Sequence, residues 1–143
     1  MNSFKKLLLL NKKDKQLFIE ALITLFWVKL VVILFPLRWY SKILGTEHKT
    51  SMDEPTTYLD DIAFKISQAI TRSKRAFPWK PKCLCEAVSA KIMLNRRHVN
   101  STLYLGVAKD KGSLIAHAWL ICGTKFVTGR AGSEKFTVVS SFA

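Results

Sequence analysis

The chain has 143 residues, of which 49% are hydrophobic and 11% aromatic, with only 6 Gly and 4 Pro. This excludes a disordered or low-complexity polypeptide and suffices for one domain with its own core plus a short helical extension. Lys and Arg outnumber Asp and Glu by 23 to 10, and the net charge of +13 attracts anionic partners (an acidic peptide, a nucleic acid, a membrane surface) without specifying a fold.

The N-terminal Lys5 and Lys6 precede a Leu run, as in a signal peptide. The run is only residues 7–10, and Asn11, Lys12, Lys13 and Asp14 follow it without a small-residue cleavage site. Residues 17–37 are more apolar. Leu17, Phe18, Ala21, Leu22, Leu25 and Phe26 recur at helical spacing. Glu20 and Lys29 interrupt the stretch, and a charge near a bilayer centre costs roughly 2.5–3.5 kcal/mol on insertion scales. The stretch is therefore read as a buried or peripheral helix rather than a span. Basic flanks (Lys5, Lys6, Lys12, Lys13, Lys15, Arg38, Lys42) leave peripheral membrane contact open. Pro36 disfavours helical geometry at Phe35 and places the helix end there. Trp39, Ile43 and Leu44 predict a short amphipathic turn. Residues 45–57 are polar, contain Pro55 and read as a linker. The expected division is an N-terminal helical segment, 1–50, and a compact domain, 51–143.

Thr57 with Asp60 and Asp61 predicts a helix start. Ile62, Ile66, Ala69 and Ile70 supply its apolar stripe, and Arg72, Lys74 and Arg75 suit its C-terminal end. Pro78 and Pro81 stop the chain, with Trp79 between them as either a groove wall or a loop anchor. A second helix starts at Cys83 and keeps its spacing to about Arg97, where Arg96, Arg97 and His98 read as a solvated cationic end. The period then becomes two. Leu103, Leu105 and Val107 define one strand, and Ile115, His117, Trp119 and Ile121 the next. Residues 125–128 and 136–142 predict further strands. The expected fold class is α+β, with a helix packed on one face of a three- to four-stranded antiparallel meander.

Cys83 opens a predicted helix, where the dipole favours a thiolate, and Lys80 and Lys82 add positive potential. A nucleophilic Cys needs a base within reach, and His117 on a neighbouring strand is the candidate. Taken singly, a buried Cys is often a small core residue and a lone strand His is more often structural. Cys85 is a weaker candidate nucleophile, because two residues along a helix is about 200° around it. The 3 Cys are an odd count without framework spacing and read as reduced thiols of a cytosolic protein. Zinc on Cys83, Cys85, His117 and Cys122 is disfavoured: C-x-C is poor ligand spacing, and His117 and Cys122 fall on opposite strand faces. Nothing in the sequence calls for a metal or another cofactor.

Taken together, three strings resemble the stand-alone leader peptidase of lasso-peptide biosynthesis, of the transglutaminase-like (papain-like) superfamily. They are Cys83-Leu84-Cys85-Glu86-Ala87-Val88-Ser89-Ala90, Leu103-Tyr104-Leu105-Gly106-Val107 and Ala116-His117-Ala118-Trp119-Leu120. The likeness covers residues 60–143 well, with Phe136-Thr137-Val138-Val139 as the closing strand, and the N-terminal helices more loosely. It implies a Cys-bearing helix on a small antiparallel sheet, with Cys83 as nucleophile and His117 as general base and then acid. It implies removal of the leader from a precursor peptide. The implied partners are a leader-recognition protein and the ATP-dependent lasso cyclase. The alternative is a non-catalytic, precursor-binding scaffold module of the same complex. The pattern also implies an Asp about 12 residues after the His, completing a triad. Here Phe126-Val127-Thr128-Gly129-Arg130 holds no carboxylate. Thr128, a backbone carbonyl or Glu134 are the candidates to orient His117.

Overall fold

The structure, a computed structural model, describes residues 3–36, 38, 39, 42, 57–78 and 80–143. Ile43 and Leu44, the linker at 45–56, the division between residues 50 and 51, and Trp79 lie outside the described residues. The described chain opens with α1 (Ser3–Leu8) and α2 (Lys12–Leu34). α2 ends where Pro36 requires: Phe35 is extended, with φ −126° and ψ 143°. Next come α3 (Thr57–Ala76) and α4 (Cys83–Arg96), then the strands β1 (Thr102–Asp110), β2 (Ser113–Cys122), β3 (Lys125–Thr128) and β4 (Thr137–Phe142). A single 3-10 turn, Ser133–Lys135, lies between β3 and β4.

α2, α3 and α4 form one layer and the sheet the other. Ala21, Leu25 and Val28 of α2 bury into the same core as Ile66 and Ile70 of α3, Val88, Met93 and Leu94 of α4, and Leu103, Leu120 and Phe142 of the sheet. α4 is fixed at both ends. Glu86 in its first turn pairs with Lys74 of α3 at 2.7 Å. Arg97, its C-cap, takes both carboxylate oxygens of Glu20 on α2, at 2.6 and 3.0 Å. Hydrogen bonding to Arg97 lowers the Glu20 pKa below its usual value. Arg97 is therefore not part of a solvated cationic end; it ties two helices together. A bidentate Arg–carboxylate pair fixes orientation as well as distance.

The sheet is wholly antiparallel, in the order β3-β2-β1-β4. The expected meander would place β4 beside β3, whereas β4 lies at the opposite edge, against β1. The β1–β2 turn is tight, with Lys111 at φ 49° and Gly112 at φ 82°, the two-residue turn that matches strand twist. After β3 the chain instead turns at Gly129 (φ 72°) and Gly132 (φ 78°) and crosses one face of the sheet to reach β4.

The two faces of the sheet are distinct. Leu105 pairs with Ala118 and Leu103 with Leu120, and these side chains meet the helices. Gly106 pairs with His117 and Tyr104 with Trp119, so these residues share the other face. The crossing segment lies over that face. A Cβ on Gly106 would come within 2.9 Å of both the Phe136 Cβ and the Trp119 ring. Gly106→Ala is accordingly expected to lower the unfolding free energy by about 1–3 kcal/mol, the usual cost of overpacking, read as a drop in urea midpoint at unchanged m-value.

One core position is a cation. Lys91 on α4 is 1% exposed, and its Nζ donates to the Ser101 carbonyl oxygen at 2.6 Å. Burial lowers its pKa from 10.5 to about 8. The unfolded chain therefore binds the proton more readily, and stability rises with pH between about 8 and 10.5. The penalty is absent above this window and complete below it, and at 1.36 kcal/mol per pKa unit it amounts to about 3 kcal/mol. Lys91→Met removes the titration. Unfolding free energies of the two proteins, measured in urea from pH 7.5 to 10, are expected to show the lysine form gaining on the methionine form as pH rises. A constant difference would mean that Lys91 is not the titrating group.

Candidate active site

Cys83 is the first residue of α4, half-buried, with Lys82 as N-cap. Lys82 makes no side-chain cap bond, which leaves the first-turn N–H groups of α4 without an acceptor from the N-cap side chain. They and the helix dipole favour negative charge at that end. Cys85, two residues on, points into the core and is 2% exposed. Desolvation raises its thiol pKa above the ordinary value. A buried, harder-to-ionise thiol makes a poor nucleophile, so of these two it is Cys83 that has access.

His117 lies mid-strand on β2, half-buried by the crossing segment. Its ring stacks on Trp119, with centroids 5.8 Å apart, and tilts against Phe136 at 5.0 Å. Tyr104 stacks on the far side of Trp119 at 5.7 Å. The wall around His117 is thus aromatic, with a single polar contact among the described residues. His117 Nε2 lies 2.8 Å from the Gly129 carbonyl oxygen. A carbonyl only accepts, so Nε2 carries the proton and donates. In the neutral ring this leaves Nδ1 as the basic nitrogen, the tautomer a general base needs.

Gly129 stands 12 residues after His117, the offset at which the resemblance predicts an Asp. It has φ 72°, and a Cβ there would lie 2.5 Å from the Ala118 carbonyl oxygen and 2.8 Å from the Trp119 Cβ. A residue with a side chain therefore does not fit, and the main chain itself supplies the acceptor. Of the other candidates, Thr128 Oγ1 is buried without a partner among the described residues, and Glu134 is exposed on the 3-10 turn. The sequence did carry a signal: a glycine at the offset where a carboxylate is expected marks a place where backbone approaches closely.

The structure brings His117 together with Gly129, Trp119 and Phe136. It does not bring His117 into hydrogen-bond contact with Cys83. α4 packs against β2 on the face that presents Ala118, Leu120 and Cys122, and His117 belongs to the other face. The thiol and the imidazole thus belong to opposite faces of the sheet.

Three helices packed on a four-stranded antiparallel sheet, with a half-buried cysteine at a helix start and an oriented histidine on an inner strand, define the class as α+β. A family model of the Transglutaminase-like superfamily matches residues 27–141, and the chain belongs to that superfamily. No curated protein and no solved structure matches the chain.

Proposed function

We propose that the protein is a cysteine peptidase that removes the leader from a ribosomally made lasso-peptide precursor. The observation that carries this reading is the Nε2–H···O=C bond from His117 to Gly129, which leaves Nδ1 free to act as a base. In the reaction, Nδ1 takes the Cys83 thiol proton and the thiolate attacks the scissile carbonyl. First-turn N–H groups of α4 face the developing oxyanion. The tetrahedral intermediate collapses as the imidazolium gives its proton to the core peptide's nitrogen, which leaves as a free amine. The leader remains as a thioester on Cys83. Water then attacks it, with His117 again as base, and releases the leader acid and the thiol.

Because α4 lies on one face of the sheet and His117 on the other, this chemistry requires a rearrangement on precursor binding that brings Cys83 Sγ within hydrogen-bond reach of Nδ1, larger than the tightening of an already aligned contact. The leader-recognition protein is the partner that delivers the precursor, and the lasso cyclase consumes the freed amine. A second reading, a precursor-binding module without catalysis, is favoured by the absence of a Cys83–His117 hydrogen bond. One reconstitution separates the two. The protein is incubated with precursor and recognition protein, and leader release is followed by mass. The peptidase reading expects release that depends on Cys83 and His117. Precursor binding with no release under any condition supports the second reading and sinks the first.

A further inference from the structure

α2 is long and apolar enough to cross a membrane by length and composition alone. Among the described residues, the fold uses only one side of it. Phe18, Ala21, Leu25 and Val28 are buried against the domain. Ile19, Ile23, Phe26, Trp27, Ile33 and Leu34, spaced in helical steps along the opposite side, are all exposed. Soluble monomers rarely show a continuous apolar stripe of this kind. Trp27 is 62% exposed, and an open apolar groove of about 390 Å³ runs between it and Phe77.

The charges around the stripe say what covers it. Lys12 and Lys13 at the start of α2 are exposed, as are Lys5 and Lys6 of α1 just before it. Trp39 and Lys42 are exposed beyond its far end. Glu20 does not oppose them, because both its oxygens are engaged by Arg97 on the inner side. The result is an apolar face with cationic ends and exposed tryptophans, on a chain of net charge +13. Lysine heads with aromatic and aliphatic bodies match a bilayer interface of anionic headgroups over acyl chains. Spanning would pull Ala21, Leu25 and Val28 out of the core and strand Arg97, so the helix lies in the surface plane.

We infer that the outer face of α2 is a membrane-docking surface that seats the domain on anionic lipid. The full-length protein is tested by co-sedimentation with vesicles of phosphatidylcholine alone and with about a third phosphatidylglycerol added. Binding is expected to be about tenfold or more tighter to the anionic vesicles and to fall as salt screens the lysines. Phe26→Ser with Trp27→Ser, both exposed positions, is expected to abolish binding while the melting temperature stays near that of the parent. Lys12→Glu with Lys13→Glu is expected to remove the preference for anionic lipid. Failure to bind either vesicle overturns the inference, as does undiminished binding by the Phe26/Trp27 variant. A stable dimer that becomes monomeric on the Phe26/Trp27 substitutions, without vesicle binding, would assign the face to a second copy of the chain instead.

Discussion

Cys83→Ala is expected to lower the rate of leader release by at least about 10³-fold with precursor affinity unchanged, whereas Cys85→Ala should change the rate by less than about threefold. The contrast follows from position on one helix turn. Cys83 is half-buried at the first residue of α4, at the positive end of the helix dipole. Cys85 is inside the core, and desolvation holds its proton on. Its loss removes packing rather than chemistry. A thiol-selective reagent gives an assay-independent check, since native protein should label first at Cys83, and Cys85 and Cys122 only on unfolding. His117→Ala should match Cys83→Ala in rate, because residues that act as one unit do not add. Equal rates for wild type and Cys83→Ala would end the peptidase reading.

Gly129→Ala is expected to be the most damaging single methyl group in the sheet. At φ 72° an L-residue costs roughly 1–2 kcal/mol from backbone sterics alone. The new Cβ would also sit 2.5 Å from the Ala118 carbonyl oxygen, a backbone atom that cannot swing away. The segment must shift, and the carbonyl that holds His117 Nε2 shifts with it. The expected result is a lower melting temperature together with a fall in turnover of about 10²-fold or more, since misplacing a catalytic group by about an ångström costs that much. Temperature is held where circular dichroism shows the variant folded. The readout specific to positioning is the tautomer. Nitrogen NMR of His117 should show Nε2 protonated and Nδ1 bare in the wild type, and a mixture in the variant. Gly129→Asp should fail likewise, because its carboxylate begins with the same clashing Cβ. An unchanged tautomer in Gly129→Ala would remove the carbonyl from its orienting role.

The helices and the alternating strands were legible because each answers to local rules. Pro36 ends α2, Pro81 precedes α4, and the change of period after Arg97 announces β1. The shared face of His117 and Trp119 follows from alternation, and their stacking agrees with it. The strand order was not legible. A meander and the observed crossover share the same strand sequences, and what distinguishes them is the packing of Phe136 over Gly106 and His117, a contact between residues distant in the chain. The role of Arg97 was hidden for a similar reason, because Glu20 lies far away in the chain and pairs with it only through helix packing.

The sequence by itself determined the α+β class, the placement of Cys83 at a helix start and the superfamily strings around His117. It also exposed the missing carboxylate, because a side chain that is absent can be read directly. What takes that carboxylate's place was decided by tertiary structure alone. A backbone carbonyl occurs at every residue, and no residue type marks the one that is aimed. Only the crossing of the sheet, turning at a glycine that no side chain could replace, carries the Gly129 oxygen to within 2.8 Å of His117 Nε2.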